Sequence, residues 1–210
     1  MLLSFQDLIK KYSIDSKGIL HIGSNDGAEC REYYANGIER TIWVEAIPAI
    51  YQQLLKNIEP YFDAIAFNEC ISDVDGKEVK FNISSNHGES SSFLEFGTHK
   101  DVHPDVSFVG SITCKTKRID TLFRENDLDI KDYTFLNIDL QGAELLALKG
   151  MGNLLQEVKY IYTEVNKAEL YIGCCLIEQL DEHLATFGFK RVETEWAGNT
   201  NWGDSLYVKL

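Results

Sequence analysis

Glycines and a carboxylate in the first quarter of the chain are spaced as in a nucleotide-binding site. A β-rich run, Gly18–Ile22, leads into the glycine-bounded turn Gly23–Gly27, and a helical pattern follows. Such a turn is expected to present free backbone N–H groups at a helix N-terminus. Glu45 ends the next β-rich run, 22 residues after Gly23, where a carboxylate can accept both hydroxyl protons of a ribose. The pattern predicts a cofactor that contains adenosine.

The composition of the turn discriminates between adenosine cofactors. Dinucleotide folds need G-x-G-x-x-G, but Ser24, Asn25 and Asp26 fill the turn here, and Asp26 would repel a diphosphate. The phosphate-binding pattern G-x-x-x-x-G-K-[ST] is also absent. An acidic turn suits a ligand with an ammonium and a sulfonium group, so we expect S-adenosyl-L-methionine. The structural alternative is a strand–helix turn that binds no ligand.

Two further carboxylates follow β-rich runs later in the chain. Asp139 lies in LNIDLQGAE, residues 136–144, which ends a run and opens a helical pattern. In a doubly wound sheet this strand lies beside the first one across the topological switch point, so Asp139 is expected to face the same crevice as Gly23. Glu164 ends the following run. Both are candidate bases for an acceptor hydroxyl, although each could instead cap a helix or pair with a lysine.

A polar, Ser-rich segment at residues 84–110 holds three of the five histidines. It is either a disordered surface loop or a lid over a substrate. We take His87 as the third candidate base, because histidine titrates near neutral pH. It ranks ahead of His99 and His103 because it lies within the Ser-rich string NHGESSS. The three histidines are too widely spaced to predict a metal site. A divalent ion held by the two strand-end carboxylates is the alternative.

Composition excludes several classes of partner. The 210 residues carry 20 Lys and Arg against 33 Asp and Glu, a net charge of −13, which disfavours nucleic acid and anionic lipid as partners. No stretch approaches the roughly 18 apolar residues of a membrane span. The five cysteines are odd in number and form no C-x-x-C pair, which is typical of a reducing cytoplasm. The expected partner is a small-molecule or saccharide acceptor, and a homo-oligomer is possible.

Strand and helix patterns alternate along most of the chain. The strand candidates are Gly18–Ile22, Thr41–Ala46, Ala64–Ile71, Tyr133–Ile138, Val158–Val165, Phe189–Trp196 and Ser205–Leu210. The helix candidates between them are Ala28–Asn36, Ile47–Asn57, Ala143–Gln156 and Cys174–Phe187. This rhythm predicts an α/β fold with a parallel sheet, closed at one edge by a terminal strand pair with one antiparallel strand.

The chain contains no internal repeat and no composition shift that marks a second domain. We therefore predict one domain over residues 1–210, with an N-terminal helix at 2–12 and a loop and β insertion at about 76–117. Trp196 and Trp202 bracket a polar turn near the end of the chain. They could stack on a sugar ring or fill a subunit interface.

The strings HIGSNDG, VEAIP, NECISDVDG, RIDTL, LNIDLQGAELLALKGM and YTEVN, in this order, resemble FkbM-type methyltransferases over roughly residues 18–210. The stretch from RIDTL to LNIDLQGAELLALKGM is the most specific part. The resemblance implies a Rossmann-like class I methyltransferase fold, with a mostly parallel seven-stranded sheet, an antiparallel C-terminal strand and helices on both faces. It also implies S-adenosyl-L-methionine as the methyl donor.

The resemblance implies a role for each matching position. The cofactor turn would consist of Gly23, Asn25 and Gly27, and Glu45 would hold the ribose. The adenine would be flanked by Ala46, Ile71 and Ser72, and Asp139 would face the aminopropyl and methyl end. His21 stands where many class I enzymes have an acidic residue that contacts the cofactor ammonium. Asn137 and Gln141 stand where Lys and Glu are frequent in other branches of the family.

We therefore expect an O-methyltransferase that acts on a hydroxyl of a carbohydrate, a glycolipid precursor or a related metabolite. One alternative is an N-methyltransferase or an enzyme for a non-sugar metabolite. Another is a catalytically silent protein that binds the cofactor and serves as a scaffold. An NAD-linked oxidoreductase is disfavoured by Asp26 and by the missing second glycine of the dinucleotide motif.

Overall fold

The computed structural model describes residues 1–210 of the chain. The centre of the fold is a seven-stranded β-sheet. The strands are β1 (Gly18–Ile22), β2 (Arg40–Val44), β3 (Ala64–Phe67), β4 (Cys70–Ile71), β5 (Glu78–Ser84), β6 (Phe108–Lys117), β7 (Phe135–Ile138), β8 (Tyr160–Asn166), β9 (Phe189–Trp196) and β10 (Trp202–Lys209). The main sheet has the order β3-β2-β1-β7-β8-β10-β9, and β4, β6 and β5 form a second, three-stranded sheet. Neighbours from β3 to β8 are parallel, and β10 is antiparallel to both β8 and β9.

Helices cover both faces of the main sheet. They are α1 (Phe5–Tyr12), α2 (Cys30–Ala35), α3 (Pro48–Ile58), α4 (His99–Val102), α5 (Ile119–Glu125), α6 (Glu144–Met151) and α7 (Ile177–Ala185), with 3-10 turns at 130–132 and 152–156. One hydrophobic cluster joins α1, α2 and α3 to the sheet, and a larger cluster joins α5, α6 and α7 to the opposite face. The predicted α/β class I methyltransferase fold is confirmed.

Side chains of the central strands alternate between these two clusters. Leu20, Ile42 and Leu136 share one row across the sheet and belong to the larger cluster, whereas the next row places Ile19 and Phe135 in the other. All of them are buried. Parallel strands covered on both faces carry such continuous apolar runs, which is why the β-rich segments were recognisable in the sequence.

Two predicted elements do not continue over their whole expected length. The expected strand Ala64–Ile71 is two strands, because the chain turns at Asn68, whose side-chain amide donates to the backbone oxygens of Glu45 and Ala46. Only the first part pairs with β2, and the second joins β6. The expected helix Ala143–Gln156 leaves the α conformation after Met151 and continues as a 3-10 turn.

The segment between β5 and β6 is folded against the body of the chain and is not a disordered surface loop. Ser92 pairs with Asn82 of β5, and Phe96 forms a bridge with Tyr171. The N–H of Gly97 donates to the backbone oxygen of Leu170 at 2.9 Å. These contacts hold the segment over the carboxyl edge of the main sheet, as expected of a lid. The assignment of the whole chain to one domain stays a prediction.

Gly150 of α6 packs closely against the backbone that directly follows β4. A Cβ atom there would lie 2.3 Å from the backbone oxygen of Ser72. We expect Gly150→Ala to lower the free energy of unfolding by about 1–3 kcal/mol through overpacking, although alanine is the better helix former by about 1 kcal/mol. Urea unfolding measures the change.

Gly110→Ala in β6 is the matched control, because no heavy atom lies within 4 Å of a Cβ placed there. A Gly150→Ala protein as stable as the Gly110→Ala protein would contradict the close packing of α6 on β4.

Candidate active site

A cavity of about 410 Å³ opens at the carboxyl edge of the main sheet. Four parallel strands reach this edge at the same level, because their last paired residues form one row: Ile22, Val44, Ile138 and Thr163. The residues that follow in each strand or turn are Gly23, Glu45, Asp139 and Glu164, and all four line the cavity. The structure thus brings together the three carboxylates singled out in the sequence.

The turn after β1 packs closely against the ends of β7 and β2. A Cβ on Gly23, whose φ is +77°, would lie 1.7 Å from the backbone oxygen of Asp139, so only glycine fits between β1 and β7. The N–H groups of Gly23 and Ser24 both donate to the backbone oxygen of Val44. The close approach of Gly23 to Asp139 places the turn directly against the end of β7, where both residues line the cavity.

The expectation of free N–H groups in this turn is wrong. Asn25 donates its backbone N–H to Glu45 Oε2, Asp26 donates to Asn25 Oδ1, and Gly27 donates to the backbone oxygen of Ser24. With Gly23 and Ser24 also paired, none of these N–H groups is left for a phosphate. The turn is therefore a scaffold for side chains and not an anion site.

Glu45 is nearly buried and is held by the backbone of two loops. Its Oε2 accepts from the N–H of Asn25 at 3.0 Å, and its Oε1 accepts from the N–H of Ile47 at 2.7 Å. Burial raises the pKa of Glu45 to about 7, although these N–H bonds act in the opposite direction. Each oxygen keeps a second lone pair, so the carboxylate can still accept from a ligand hydroxyl.

Three of the predicted site residues lie outside the cavity wall. Ala46 and Ile71 line the cavity, but the nearby Ser72 does not, and its hydroxyl contacts Asp73 Oδ1. Gly27 is also outside the wall, and a Cβ there would lie 2.6 Å from Leu54 Cδ1 of α3. The apolar part of the wall near Ile71 includes Ile47, Phe81 and Phe93, which the sequence analysis did not assign to the site.

His87 is the third predicted site residue that lies outside the cavity wall. The expectation that His87 is better placed as a base than His99 and His103 is therefore wrong. The side chain of His87 is exposed, and only its backbone oxygen contacts the cofactor turn, through Asn25 Nδ2. His99 and His103 line the cavity instead. The ring of His99 is buried against Phe96, with 4.1 Å between ring centroids, and its Nδ1 has no hydrogen-bond partner. Burial lowers the pKa of His99 to about 4, so its ring is neutral at pH 7.

Gln141 joins two of the carboxylates. Its Nε2 donates to Asp139 Oδ1 at 2.5 Å and to Glu164 Oε2 at 2.9 Å. Its Oε1 accepts from the hydroxyl of Tyr171 at 2.6 Å, which fixes the orientation of the amide. Asn166 Nδ2 donates to the other oxygen of Glu164 at 3.3 Å. Neutral amides therefore hold the two acids where a cation would otherwise be expected.

Burial raises the pKa of both acids that Gln141 joins. For Glu164 the pKa lies well above its usual range, first through burial and then through the charges of Asp139, Glu144 and Asp204. Asp139 lies in a recess whose walls desolvate it, so its pKa is raised too, although its side chain is open to the cavity. The pair therefore favours holding one proton near neutral pH.

Asp204 is a fourth acid at this edge. It lies opposite Glu164 in the β8–β10 pair, and it lines the cavity. The hydroxyl of Tyr162 and the N–H of Leu2 both donate to Asp204 Oδ2. The sequence alone did not assign this residue, because the expected strand Ser205–Leu210 began too late to include it. The observed strand begins at Trp202, which also lines the cavity.

Glu144 holds the turn that carries Asp139 and Gln141. Its Oε1 accepts from the N–H groups of Leu140 and Gly142, both at 3.0 Å. The carboxyl is fully buried, and burial raises its pKa. Its position in the first turn of α6 was the available sequence signal, since acidic residues there commonly accept from backbone N–H groups.

His21 lies in the floor of the cavity and is neutral. Its Nδ1 is 3.3 Å from the hydroxyl of Tyr33, which also accepts from Asn137 Nδ2 at 2.7 Å. Burial lowers the pKa of His21 to about 4. The position therefore carries no charge at pH 7, and the predicted contact with a cofactor ammonium stays a prediction.

The family and sequence comparisons point in one direction. Residues 21–191 match the model of the methyltransferase FkbM domain. The chain is 28% identical over 176 residues to the 2-O-methyltransferase NoeI of Sinorhizobium fredii, covering 80% of this chain and 71% of that protein. It is 34% identical over 92 residues to the hexuronic acid methyltransferase AglP of Haloferax volcanii, covering 42% of this chain and 36% of that protein.

Solved structures share the fold. A methyltransferase FkbM from Methylobacillus flagellatus superposes with a TM-score of 0.58 at 14% identity, over 92% of this chain and 43% of that one. The magnesium protoporphyrin IX methyltransferase ChlM of Synechocystis, solved with its methyl donor bound, superposes with a TM-score of 0.53 at 7% identity, over 97% and 74%. No helix of the chain has the length and apolar character needed to cross a membrane.

The buried acids and histidines predict a stability that falls above pH 6.5. Glu45 has a folded pKa of about 7 against 4.5 when unfolded, so the native state binds more protons and loses stability as the pH rises through 7. His21 and His99, with pKa values of about 4 against 6.5, add stability only as the pH rises to 6.5. Above pH 6.5 the remaining contribution is that of the buried carboxyl groups, which lowers the free energy of unfolding as the pH rises.

Glu45→Gln should therefore remove about 1 kcal/mol of the fall in unfolding free energy between pH 6.5 and 8. Urea titrations at several pH values measure this slope, and Glu182→Gln, at an exposed position of α7, is the control. An unchanged slope in Glu45→Gln would show that Glu45 is already ionised at pH 6.5.

Proposed function

The chain belongs to the FkbM family of S-adenosylmethionine-dependent methyltransferases, and we propose that it transfers the methyl group to a hydroxyl of a saccharide. One observation carries this proposal: Asp139 is open to the cavity and is held by Gln141 beside the buried Glu164. That arrangement suits removal of a proton from a hydroxyl. The names of the relatives NoeI and AglP, a 2-O-methyltransferase and a hexuronic acid methyltransferase, support the acceptor class.

The donor set of the cavity fits S-adenosylmethionine. Glu45 would accept from the ribose hydroxyls, and Ala46 and Ile71 would flank the adenine. The methionine part would lie along His21, Gly23 and Asn25, with Asp139 at the methyl end. No Lys or Arg side chain lines the cavity, and the N–H groups of residues 23–27 are all paired within the protein, so a diphosphate would lack the partners that it has in dinucleotide folds. This counts against the NAD-linked alternative.

When bound, the cofactor supplies a methyl group that a sulfonium centre activates for direct displacement. The protein has to align the acceptor and remove its proton. Asp139 would be the base, because it is open to the cavity, whereas amides enclose both oxygens of Glu164. A pKa raised toward neutral makes a carboxylate a stronger base that is still ionised at working pH. Glu164 and Gln141 would orient Asp139.

The setting of the enzyme follows from the same features. All five cysteines are free thiols, which suits a reducing cytoplasm. The net charge of −13 and the acidic cavity favour a small saccharide over nucleic acid as the acceptor. Assembly into a homo-oligomer stays a prediction.

The ribose role of Glu45 is tested by binding. We expect Glu45→Gln to weaken S-adenosylhomocysteine binding by about 1–3 kcal/mol, because charge-assisted hydrogen bonds to the hydroxyls are lost. Isothermal titration measures it, with Glu182→Gln as the charge-matched control. Equal affinity in both variants would remove Glu45 from the ribose site.

The activity is tested by incubating the full chain with S-adenosylmethionine and a panel of methyl glycosides. We expect release of S-adenosylhomocysteine together with a singly O-methylated glycoside, identified by mass spectrometry. At saturating cofactor, Asp139→Asn should lower kcat by about 10²–10⁴-fold, the usual contribution of a positioned base. Glu164→Gln should lower kcat less.

Other results would replace the proposal. Methylation of amine acceptors only would make the chain an N-methyltransferase. Cofactor binding by a folded protein, with no release of S-adenosylhomocysteine for any acceptor, would support the silent scaffold. An Asp139→Asn protein that keeps wild-type kcat would show that Asp139 is not the base.

A further inference from the structure

The wall of the cavity carries many acidic side chains and no basic Lys or Arg. Eight of its lining side chains are Asp or Glu, and none is Lys or Arg. Four of the acids are at the end where Asp139 is open: Asp139 itself, Glu164, Asp204 and Glu29 also line a small adjoining recess. Two of the three lining histidines, His21 and His99, are neutral at pH 7 because burial lowers their pKa to about 4.

Positive charge near this end is scarce. The α-amino group of Met1 acts on Asp139 and lowers its pKa, but it is one charge among several acids. Lys167, on the loop after β8, is held over the ring of Trp196, 3.6 Å from the ring centroid, and does not line the cavity. A bound methyl donor adds one net positive charge. The space left for an acceptor is therefore lined by more acidic groups than cations.

The uncharged groups around this space suit a polyol. Ser90, Ser91 and Gln141 offer hydroxyl and amide groups, and Trp202 and His103 offer aromatic rings to the cavity. The indole Nε1 of Trp202 is buried with no hydrogen-bond partner. Carboxylates and amides accept from sugar hydroxyls, and aromatic faces pack on the C–H faces of a sugar ring.

We propose that the acceptor is an uncharged or amino-bearing saccharide, and that uronates and sugar phosphates are excluded by charge. An anionic group in this poorly solvated recess would face the acids Asp139, Glu164 and Asp204, with no Lys or Arg side chain to pair with. The inference rests on the proposed function. It separates this chain from the hexuronic acid enzyme among its relatives.

The test compares three methyl glycosides of each of several hexoses: the hexoside, the hexuronate and the hexuronamide. The uronamide is the matched control, since it keeps the shape of the uronate and removes its charge. We expect kcat/KM for the uronate to be at least about 100-fold below that for the uronamide at pH 7.5. Binding of the same compounds to the protein loaded with S-adenosylhomocysteine is followed by saturation-transfer NMR.

A charge variant links the effect to the cavity. Glu89 lines the wall with an exposed side chain that makes no hydrogen bond, so Glu89→Lys adds a cation there without removing a hydrogen bond. We expect this substitution to reduce the ratio of kcat/KM for the uronamide to kcat/KM for the uronate by about fivefold or more. Glu182→Lys, which changes the net charge equally but lies on α7 outside the cavity, should leave the ratio unchanged.

The outcomes separate the two proposals. If uronamides bind and uronates do not, but no saccharide is methylated, the proposed transfer fails and the charge selection stands. If uronates are methylated as fast as uronamides, the charge selection is overturned and the transfer stands. Failure of every saccharide to bind would refute both.

Discussion

The site depends on the pairing register of four parallel strands. Because Ile22, Val44, Ile138 and Thr163 form one row across β1, β2, β7 and β8, the residue that follows each of them reaches the same edge of the sheet, and Gly23, Glu45, Asp139 and Glu164 lie close together. A slip of one residue would turn every side chain of a strand to the other face. The two hydrophobic clusters prevent such a slip, since each central strand buries alternate residues in both.

Gathering acids at one edge has an electrostatic cost, and the structure reduces it with neutral partners. Asp204 lies opposite Glu164 across a strand pair, an arrangement that destabilises a sheet when both residues are charged. Tyr162 donates to Asp204, and Gln141 donates to Asp139 and Glu164. The raised pKa of Glu164 means that one acid of the group can remain protonated. The acids therefore stay close together without a lysine or arginine, and the open side of Asp139 is left for a ligand.

The sequence allowed site residues to be predicted where they lie at the ends of strands. It did not allow this where contacts between distant parts of the chain position the residue. Glu45, Asp139 and Glu164 could be placed because each directly follows a recognisable apolar run. The histidines could not be ranked, because the segment between β5 and β6 takes its path from pairings with Asn82 and Leu170, which no local pattern reveals. The turn after β1 was misjudged for a related reason. The N–H groups of Gly23, Ser24 and Asn25 donate to the backbone of β2 and to the Glu45 side chain, which lie about 20 residues away in the chain.

The absence of Lys and Arg side chains from the cavity affects the selection of both the cofactor and the acceptor. A nucleotide fold usually selects its cofactor through N–H groups and glycines that receive a diphosphate. In this chain the N–H groups of residues 23–27 are paired within the protein, so the turn that fixes Glu45 has none of them to offer a phosphate. The acids at the other end extend this selection to the acceptor, because no cation near Asp139 compensates an added negative charge except the α-amino group of Met1. A base that must attract a proton from a hydroxyl gains from such surroundings, since negative neighbours raise its proton affinity. Charge selection and base strength are therefore two consequences of one arrangement.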